Sequence, residues 1–283
     1  MTHPALTPPG LHRDRLRVLR DGAPRPAGPV VLWMQQAQRV HENPALAHAL
    51  AIGAALDRPV AVVFALTPAY PEATARAYAF LLEGLRGVRD ECRRRGIGFA
   101  AALGDPADVA LAAARDAAVV VVDRGYLPHQ RAWRARLAGE AACPVVQVEG
   151  EAIVPVDVAS PKAEVAARTL RPKLWRRLDE FLDPTPDPRP TVPWTGDRPR
   201  VGAHPDVTDA LDDPVALRRG LAVDESVAPV SALFPGGEGP AEARVARALR
   251  AHFTGARGHP KEWLKAAGYW TRGIADGSDK SLD

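Results

Sequence analysis

Two clusters of polar residues each follow an apolar segment of the chain, and their side chains are suited to binding a polar ligand. The first cluster follows residues 30–33 and contains the amides Gln35, Gln36 and Gln38 and the cation Arg39. Amide groups both donate and accept hydrogen bonds, and a guanidinium group donates to anions and carbonyls. The cluster is a candidate binding loop, and the alternative is a solvated loop without a ligand.

The second cluster ends another apolar segment, residues 118–122, and contains Asp123, Arg124 and Tyr126. Two roles are open to Asp123: it anchors a ligand hydroxyl, or it caps the turn that follows it. Met34, at the end of the first apolar segment, completes the set of candidate ligand-binding residues. No residue of the chain is identified as catalytic.

Several common kinds of site have no sequence signature in this chain. No G-x-G-x-x-G follows the first apolar segment, and G-x-x-x-x-G-K-[ST] and G-x-S-x-G do not occur. A dinucleotide-dependent dehydrogenase, a P-loop enzyme and a serine hydrolase are therefore not expected. The histidines show no metal-ligand spacing, and two cysteines do not make a zinc site alone.

Five apolar segments of strand length position the two polar clusters. Helix-length segments separate them, which favours an α/β fold with a Rossmann-like, doubly wound, five-stranded parallel sheet. The predicted strands are residues 29–34, 59–66, 97–103, 118–123 and 144–148. Both polar clusters then lie at the carboxyl edge of the sheet, where open α/β sheets bind ligands.

The rest of the chain is less regular. The basic residues 11–20 are expected to form a helical turn or two, and residues 161–182 a helical region interrupted by Pro172. Residues 183–214 form a proline-rich connector. An amphipathic helix is expected over residues 238–253 and another helix over residues 260–270.

Composition limits the class of protein. The 283 residues are 46% apolar and 25% charged, as in folded domains, and the net charge of +3 permits an acidic partner such as nucleic acid. No apolar stretch approaches the ~20 residues of a membrane span, so no membrane partner is expected. Two cysteines give no disulfide framework, and we expect a reduced, cytoplasmic compartment.

The first polar cluster resembles the opening of the class II cyclobutane-pyrimidine-dimer photolyases, whose first strand runs into Trp-Met-x-Arg-Asp-Gln-Arg-x-x-(Asp/Glu)-Asn. In this chain Gln36 stands where that family has Arg, and Ala37 stands where it has Asp. The matching residues are Trp33, Met34, Gln38, Arg39, Glu42 and Asn43.

Later segments extend the resemblance. Residues 123–134 are similar to a segment of the bacterial class II enzymes, and residues 156–173 resemble a family block ending in Arg-Thr-x-Arg-Pro-Lys. Val165 replaces the Tyr of that block. The motif Phe-Pro-Gly-Gly at residues 234–237 resembles the entry to the helical domain of the family. The resemblance runs in order from Pro29 to about Phe253.

The resemblance implies a light-driven carbon–carbon lyase that uses FAD to split pyrimidine dimers in DNA. It also implies an α/β domain that holds an antenna chromophore of deazaflavin or flavin type in some members. The implied domains are an extension (1–27), the antenna domain (28–182), a linker (183–233) and a short helical C-terminal remnant (234–283). Sequence after Phe253 does not match the flavin-binding segments of the family, so we expect a truncated or degenerate chain that is inactive alone. The apolar face of its C-terminal helix is expected to dock on the α/β domain, to self-associate with another chain or to favour aggregation.

A different class of function fits the same residues. The chain would then be a standalone α/β module that binds a nucleotide- or flavin-type ligand and regulates a partner. Absorbance of the purified chain above ~350 nm is the observation that separates a chromophore-bearing protein from a module that binds a colourless ligand.

Overall fold

The computed structural model describes residues 2–252, which divide into two compact units. The first unit is made of Met1–Pro155 and Pro184–Glu238, and the second of Val156–Asp183 and the chain from Gly239. None of the described helices combines the length and the apolar composition needed to cross a membrane. The predicted helix over residues 260–270 and Phe253 lie outside the described residues. The boundaries proposed above for four domains stay a prediction.

A six-stranded sheet forms the centre of the first unit. Its strands are β1 (Leu16–Arg20), β2 (Val30–Trp33), β3 (Val60–Leu66), β4 (Gly98–Leu103), β5 (Val119–Asp123) and β6 (Val145–Val148). They lie in the order β1-β6-β5-β2-β3-β4. The five predicted parallel strands are confirmed, and each begins within one residue of its predicted start.

Strand β1 corrects the expectation of a helical segment over residues 11–20. Only Arg13–Arg15 forms a 3-10 turn, and the chain then pairs antiparallel with β6, with Leu16 opposite Val148. The side chains of Leu16 and Val18 pack on the core, whereas Arg17 between them is exposed. This alternation has the period of a strand, and it is obscured in the sequence by the many arginines.

Helices cover both faces of the sheet because alternate residues of each buried strand point to opposite sides. The helices of this unit are α1 (Pro44–Leu56), α2 (Ala75–Arg94), α3 (Pro106–Ala114), α4 (Pro128–Glu140) and α7 (Pro214–Gly220). Leu32 and Val62 pack with α1 and α2, whereas Trp33 and Val63 pack with α3 and α4.

The second unit contains α5 (Val156–Ala159), α6 (Ala167–Arg177) and most of α8 (Glu238–His252). Pro172 does not interrupt the helical region as expected, because it lies inside α6. Its missing N–H leaves the carbonyl of Arg168 without a helical partner. Both residues are exposed, so that carbonyl lies at a solvated surface.

The proline-rich segment after Pro184 covers the outer edge of β4. The N–H of Leu103 donates to Pro205 O (2.9 Å), and the N–H of Val207 donates to Ala101 O (2.8 Å). Trp194 lies against Gly98, where a side-chain Cβ would come within 2.6 Å of its ring. An uncovered edge strand exposes unpaired backbone groups to other chains, and this segment pairs part of that edge.

Gly98→Ala is expected to destabilise the protein by about 1–3 kcal/mol, because its methyl group must displace Trp194 from the edge of β4. The matched control is Gly87→Ala in α2, where no atom lies within 4 Å of the added Cβ. Alanine is the better helix former, so this variant should gain about 0.5–1 kcal/mol. Urea unfolding measures both changes, and equal stabilities would contradict the proposed packing.

Candidate functional site

The buried carboxylate of Asp123 joins the two polar clusters. It accepts hydrogen bonds from the backbone N–H groups of Gln35 (3.1 Å), Gln36 (2.7 Å) and Ala37 (3.0 Å). The contact exists because β2 and β5 are parallel neighbours, so their carboxyl ends meet. Asp123 therefore caps the loop of the adjacent strand rather than the turn that follows it, which corrects one of the two roles left open.

Burial of Asp123 raises the pKa of its carboxyl group. The hydrogen bonds from the three N–H groups act in the opposite direction, because they favour the charged form, and burial is the larger effect. The geometry fixes the start of the loop after β2, because the three donors converge on one side chain. Loop residues 35–37 thus depend on a group that lies 86 or more positions away in sequence.

Two further side chains fix the rest of this loop. Asn43 caps α1 by accepting from Leu46 N–H (3.1 Å), and its amide donates to Arg39 O (2.8 Å). The carboxylate of Glu238 accepts from the N–H groups of Val40 (3.1 Å) and His41 (2.9 Å). The loop is therefore held by side-chain hydrogen bonds at its start, middle and end.

A cleft of about 210 Å³ opens beside this loop, at the carboxyl edge of β3. Gln35, Gln36 and Gln38 form its polar side. The remaining lining is mainly apolar or aromatic and includes Phe64, Leu66, Tyr70, Tyr78, Leu81 and Trp133. A smaller cavity of about 20 Å³ adjoins it and is lined by Trp33, Asp123, Gln130 and Arg134, among others. Gln35, Gln36, Tyr70 and Trp133 border both spaces, which we call together the carboxyl-edge cleft.

Two buried donors of this cleft lack hydrogen-bond partners within residues 2–252. They are the indole Nε1 of Trp33 and the amide Nε2 of Gln35. An unsatisfied buried donor costs ~1–3 kcal/mol, and most such groups in folded proteins find an acceptor. A ligand that places acceptors in the cleft would satisfy both groups.

Gln130 organises the wall opposite the loop. Its Oε1 accepts from Leu127 N–H (3.1 Å), and its Nε2 donates to Gln36 Oε1 (2.7 Å) and to the hydroxyl of Tyr70 (2.9 Å). A Cβ at Gly125 would come within 2.3 Å of Gln130 Oε1, so this glycine is required by close approach. The polar groups of the wall are thereby pre-oriented.

Aromatic rings form the outer part of the cleft. The rings of Tyr70 and His129 meet edge to face at 4.9 Å, and those of His129 and Trp133 are also 4.9 Å apart. Such contacts restrict the rings and present apolar ring faces and edges to the cleft. The cleft therefore combines hydrogen-bond donors with an aromatic lining.

Four of the eight sequence-predicted site residues line the cleft, namely Gln35, Gln36, Gln38 and Asp123. Met34 lies in the hydrophobic core instead, and the Arg39 guanidinium donates to Glu42 O at 3.2 Å. That these residues bind a ligand stays a prediction.

Arg124 and Tyr126 bind a different group, the buried carboxylate of Glu149. The tyrosine hydroxyl donates to Glu149 Oε1 at 2.8 Å, and Arg124 forms an ion pair with the other oxygen. Burial and the neighbouring carboxylate raise the pKa of Tyr126. These two predicted residues therefore tie the loop after β5 to the segment after β6, and neither lines the cleft described above.

The aromatic lining was missed in the sequence. Tyr70 follows β3 and Trp133 lies in α4, so they are far apart in the chain and carry no shared motif. Strand order is the missing information, because β3 lies beside β2 and brings its following loop to the first polar cluster. The sequence did offer one sign of this part of the cleft, because Leu66 and Thr67 lie at the carboxyl end of a buried strand, where open α/β sheets bind ligands.

Residues 30–191 match the family model for DNA photolyase. The chain is 44% identical over 175 residues to a deoxyribodipyrimidine photo-lyase of Methanothermobacter thermautotrophicus. These aligned residues make up 62% of this chain and 39% of the relative. Enzymes of the same name from Oryza sativa (33% over 238 residues) and Potorous tridactylus (36% over 213) cover 81% and 73% of this chain. They are matched over 45% and 38% of their own length, so the chain spans less than half of each relative.

Asp123→Ala is expected to lower the free energy of unfolding by about 2–4 kcal/mol, because three backbone N–H groups lose their acceptor. Amide hydrogen exchange at residues 35–37 should accelerate more than exchange in β3. The control is Asp116→Ala, whose exposed carboxylate lies 3.8 Å from Arg200 and should matter little. Unchanged exchange at residues 35–37 in Asp123→Ala would contradict this role.

Proposed function

Because this chain belongs to the DNA photolyase family, we propose that it provides the light-harvesting part of an enzyme that repairs cyclobutane pyrimidine dimers in DNA. We assign it to the class II branch on two motifs. One is the segment from Trp33 to Asn43, and the other is Arg-Thr-x-Arg-Pro-Lys at residues 168–173. Both lie within the span that matches the family model.

The observation that supports this proposal is the pair of unpartnered donors in the carboxyl-edge cleft. Trp33 Nε1 and Gln35 Nε2 are buried beside Gln36, Gln130 and Tyr70, whose polar groups hydrogen-bond one another, and Nε2 of the nearby His129 ring is also without a partner among the described residues. A ligand with acceptors along one edge and a flat apolar body fits this arrangement. Aromatic faces of Tyr70 and Trp133 would flank that body.

A flavin- or deazaflavin-type antenna chromophore has these properties. Its fused ring is flat, and its carbonyl and ring-nitrogen acceptors lie on one edge, where the two donors would hold them. The cleft volume of about 210 Å³ is below the ~300–1,000 Å³ of drug-sized sites. We therefore propose that the ring enters the cleft and that the polar tail of the chromophore remains outside. When bound, the chromophore absorbs light and passes the excitation to the catalytic flavin of the family.

The dimer-splitting step belongs to FAD in this proposal, because the cofactor carries the difficult chemistry and the protein supplies its placement. The chain spans less than half of each of these relatives, and its match to the family model covers residues 30–191. We therefore propose that DNA and FAD are partners of the whole family enzyme, and that this 283-residue polypeptide does not repair dimers by itself.

Chromophore binding tests the antenna proposal directly. Purified chain is titrated with riboflavin, FMN and 8-hydroxy-5-deazaflavin, and fluorescence quenching gives each Kd. We expect saturable binding of at least one of them. Trp33→Phe and Gln35→Met should each weaken it by roughly 2- to 10-fold, which corresponds to one hydrogen bond of about 0.5–1.5 kcal/mol.

Trp194→Phe is the matched control, because Trp194 packs on β4 and does not line the cleft. It should leave the Kd unchanged. The unliganded Trp33→Phe protein should not lose stability through hydrogen bonding, since the removed N–H has no partner within the described residues. Absence of binding by the unaltered chain, or equal Kd values for Trp33→Phe and Trp194→Phe, would overturn the proposal.

A repair assay tests the second part of the proposal. The chain is mixed with dimer-containing DNA, FAD and a reductant and is then illuminated. We expect no turnover above a protein-free control, because repair requires the protein to place the flavin beside the dimer and this chain spans less than half of the matched enzymes. Light-dependent restoration of intact pyrimidines would show that the chain holds FAD productively.

A further inference from the structure

Helix α6 concentrates the positive charge of the chain. Its 11 residues hold five cationic side chains and no acidic one. Since the net charge of the whole chain is +3, everything outside this helix has a net charge of −2. The cations are Arg168, Arg171, Lys173, Arg176 and Arg177. A cluster of cations of this density on one helix is an electrostatic feature of nucleic-acid-binding surfaces.

Two of these cations are used within the second unit itself. Lys173 binds the carboxylate of Glu164 and lies 3.2 Å from the hydroxyl of Ser160. Arg177 forms an ion pair with Glu180 at 2.6 Å. These contacts neutralise two nearby acids that would otherwise repel an anionic partner.

Arg168 and Arg176 are exposed and form no hydrogen bond or ion pair among the described residues. They are eight positions apart, which places them on one side of the helix and ~12 Å apart along its axis at 1.5 Å per residue. Pro172, also exposed, lies between them on that side. The two guanidinium groups are therefore available to a ligand that presents negative charges repeatedly along a line.

The other basic segment of the chain, residues 11–20, uses two of its four arginines in its own fold. Arg15 donates to the backbone carbonyls of Glu149, Ala152 and Ile153. Arg20 likewise donates to carbonyls at the end of α4. Arg13 and Arg17 are exposed, but Asp14 lies between them in the chain, whereas α6 holds five cations and no acid.

We propose that the Arg168–Arg176 face of α6 binds the phosphate backbone of double-stranded DNA. This inference rests on the proposed function, in which the whole enzyme acts on DNA. Arg suits this contact better than Lys, because a guanidinium group donates to one phosphate through two parallel N–H groups. Such contacts position the duplex without reading its sequence. The face is thus a non-specific anchor, separate from the carboxyl-edge cleft.

The test measures binding of the 283-residue chain to a fluorescein-labelled, undamaged 20-base-pair duplex between 50 and 200 mM NaCl. Fluorescence anisotropy gives the slope of log K against log salt, which changes by ~0.9 for each phosphate contact. Arg168→Gln/Arg176→Gln should flatten this slope by about two units and weaken binding most at low salt. Arg168→Lys/Arg176→Lys should keep the slope and bind more weakly than the unaltered chain.

The charge-matched control is Arg13→Gln/Arg17→Gln, which removes two exposed cations elsewhere. It should leave the slope unchanged, and thermal melting checks that every variant is folded. Equal loss in both glutamine variants, or no DNA binding by the unaltered chain, would overturn the inference. So would α6-dependent binding to anionic phospholipid vesicles without binding to DNA.

The two proposals fail independently. A chain that binds a chromophore but shows no α6-dependent DNA binding overturns this inference and leaves the antenna proposal standing. If the chain binds DNA through α6 but takes up no chromophore, the antenna proposal is overturned and this inference stands.

Discussion

Three backbone N–H groups on one buried carboxylate hold the candidate site together. Asp123 ends β5, yet its hydrogen bonds go to the loop that leaves β2. That geometry is available only because the two strands are parallel neighbours in register. Gln35 and Gln36 are placed by their backbone, and their side chains form part of the polar side of the cleft. The order of the strands in the sheet thereby determines where this loop lies, through the side chain of Asp123.

The edges of the sheet are completed by segments distant in sequence. Strand β1 pairs with β6 on one side, and the segment after Pro184 pairs with part of β4 on the other. Leu6, near the chain start, is fully buried, and His48 hydrogen-bonds its carbonyl at 3.0 Å. Burial lowers the pKa of His48 to about 4, so its ring is neutral at pH 7 and fits the apolar surroundings.

The five parallel strands could be predicted because strands buried on both faces are nearly continuous apolar segments. Strand β1 could not, since its pairing joins residues about 130 positions apart and its arginines hide the alternation. The polar half of the cleft was predictable from the ends of β2 and β5. Its aromatic half depends on strand order, and the contact of Glu238 with Val40 joins residues 198 positions apart. Neither leaves a local pattern in the sequence.

The first unit is discontinuous in the chain, and this limits how it can be transplanted. A fragment ending at residue 182, where its last sequence-predicted helix stops, would lose Trp194 from the edge of β4 and Glu238 from the loop beside the cleft. The module that keeps both contacts is residues 1–155 together with residues 184–238. A protein engineer who transplants this unit must therefore treat residues 156–183 as an insertion within it.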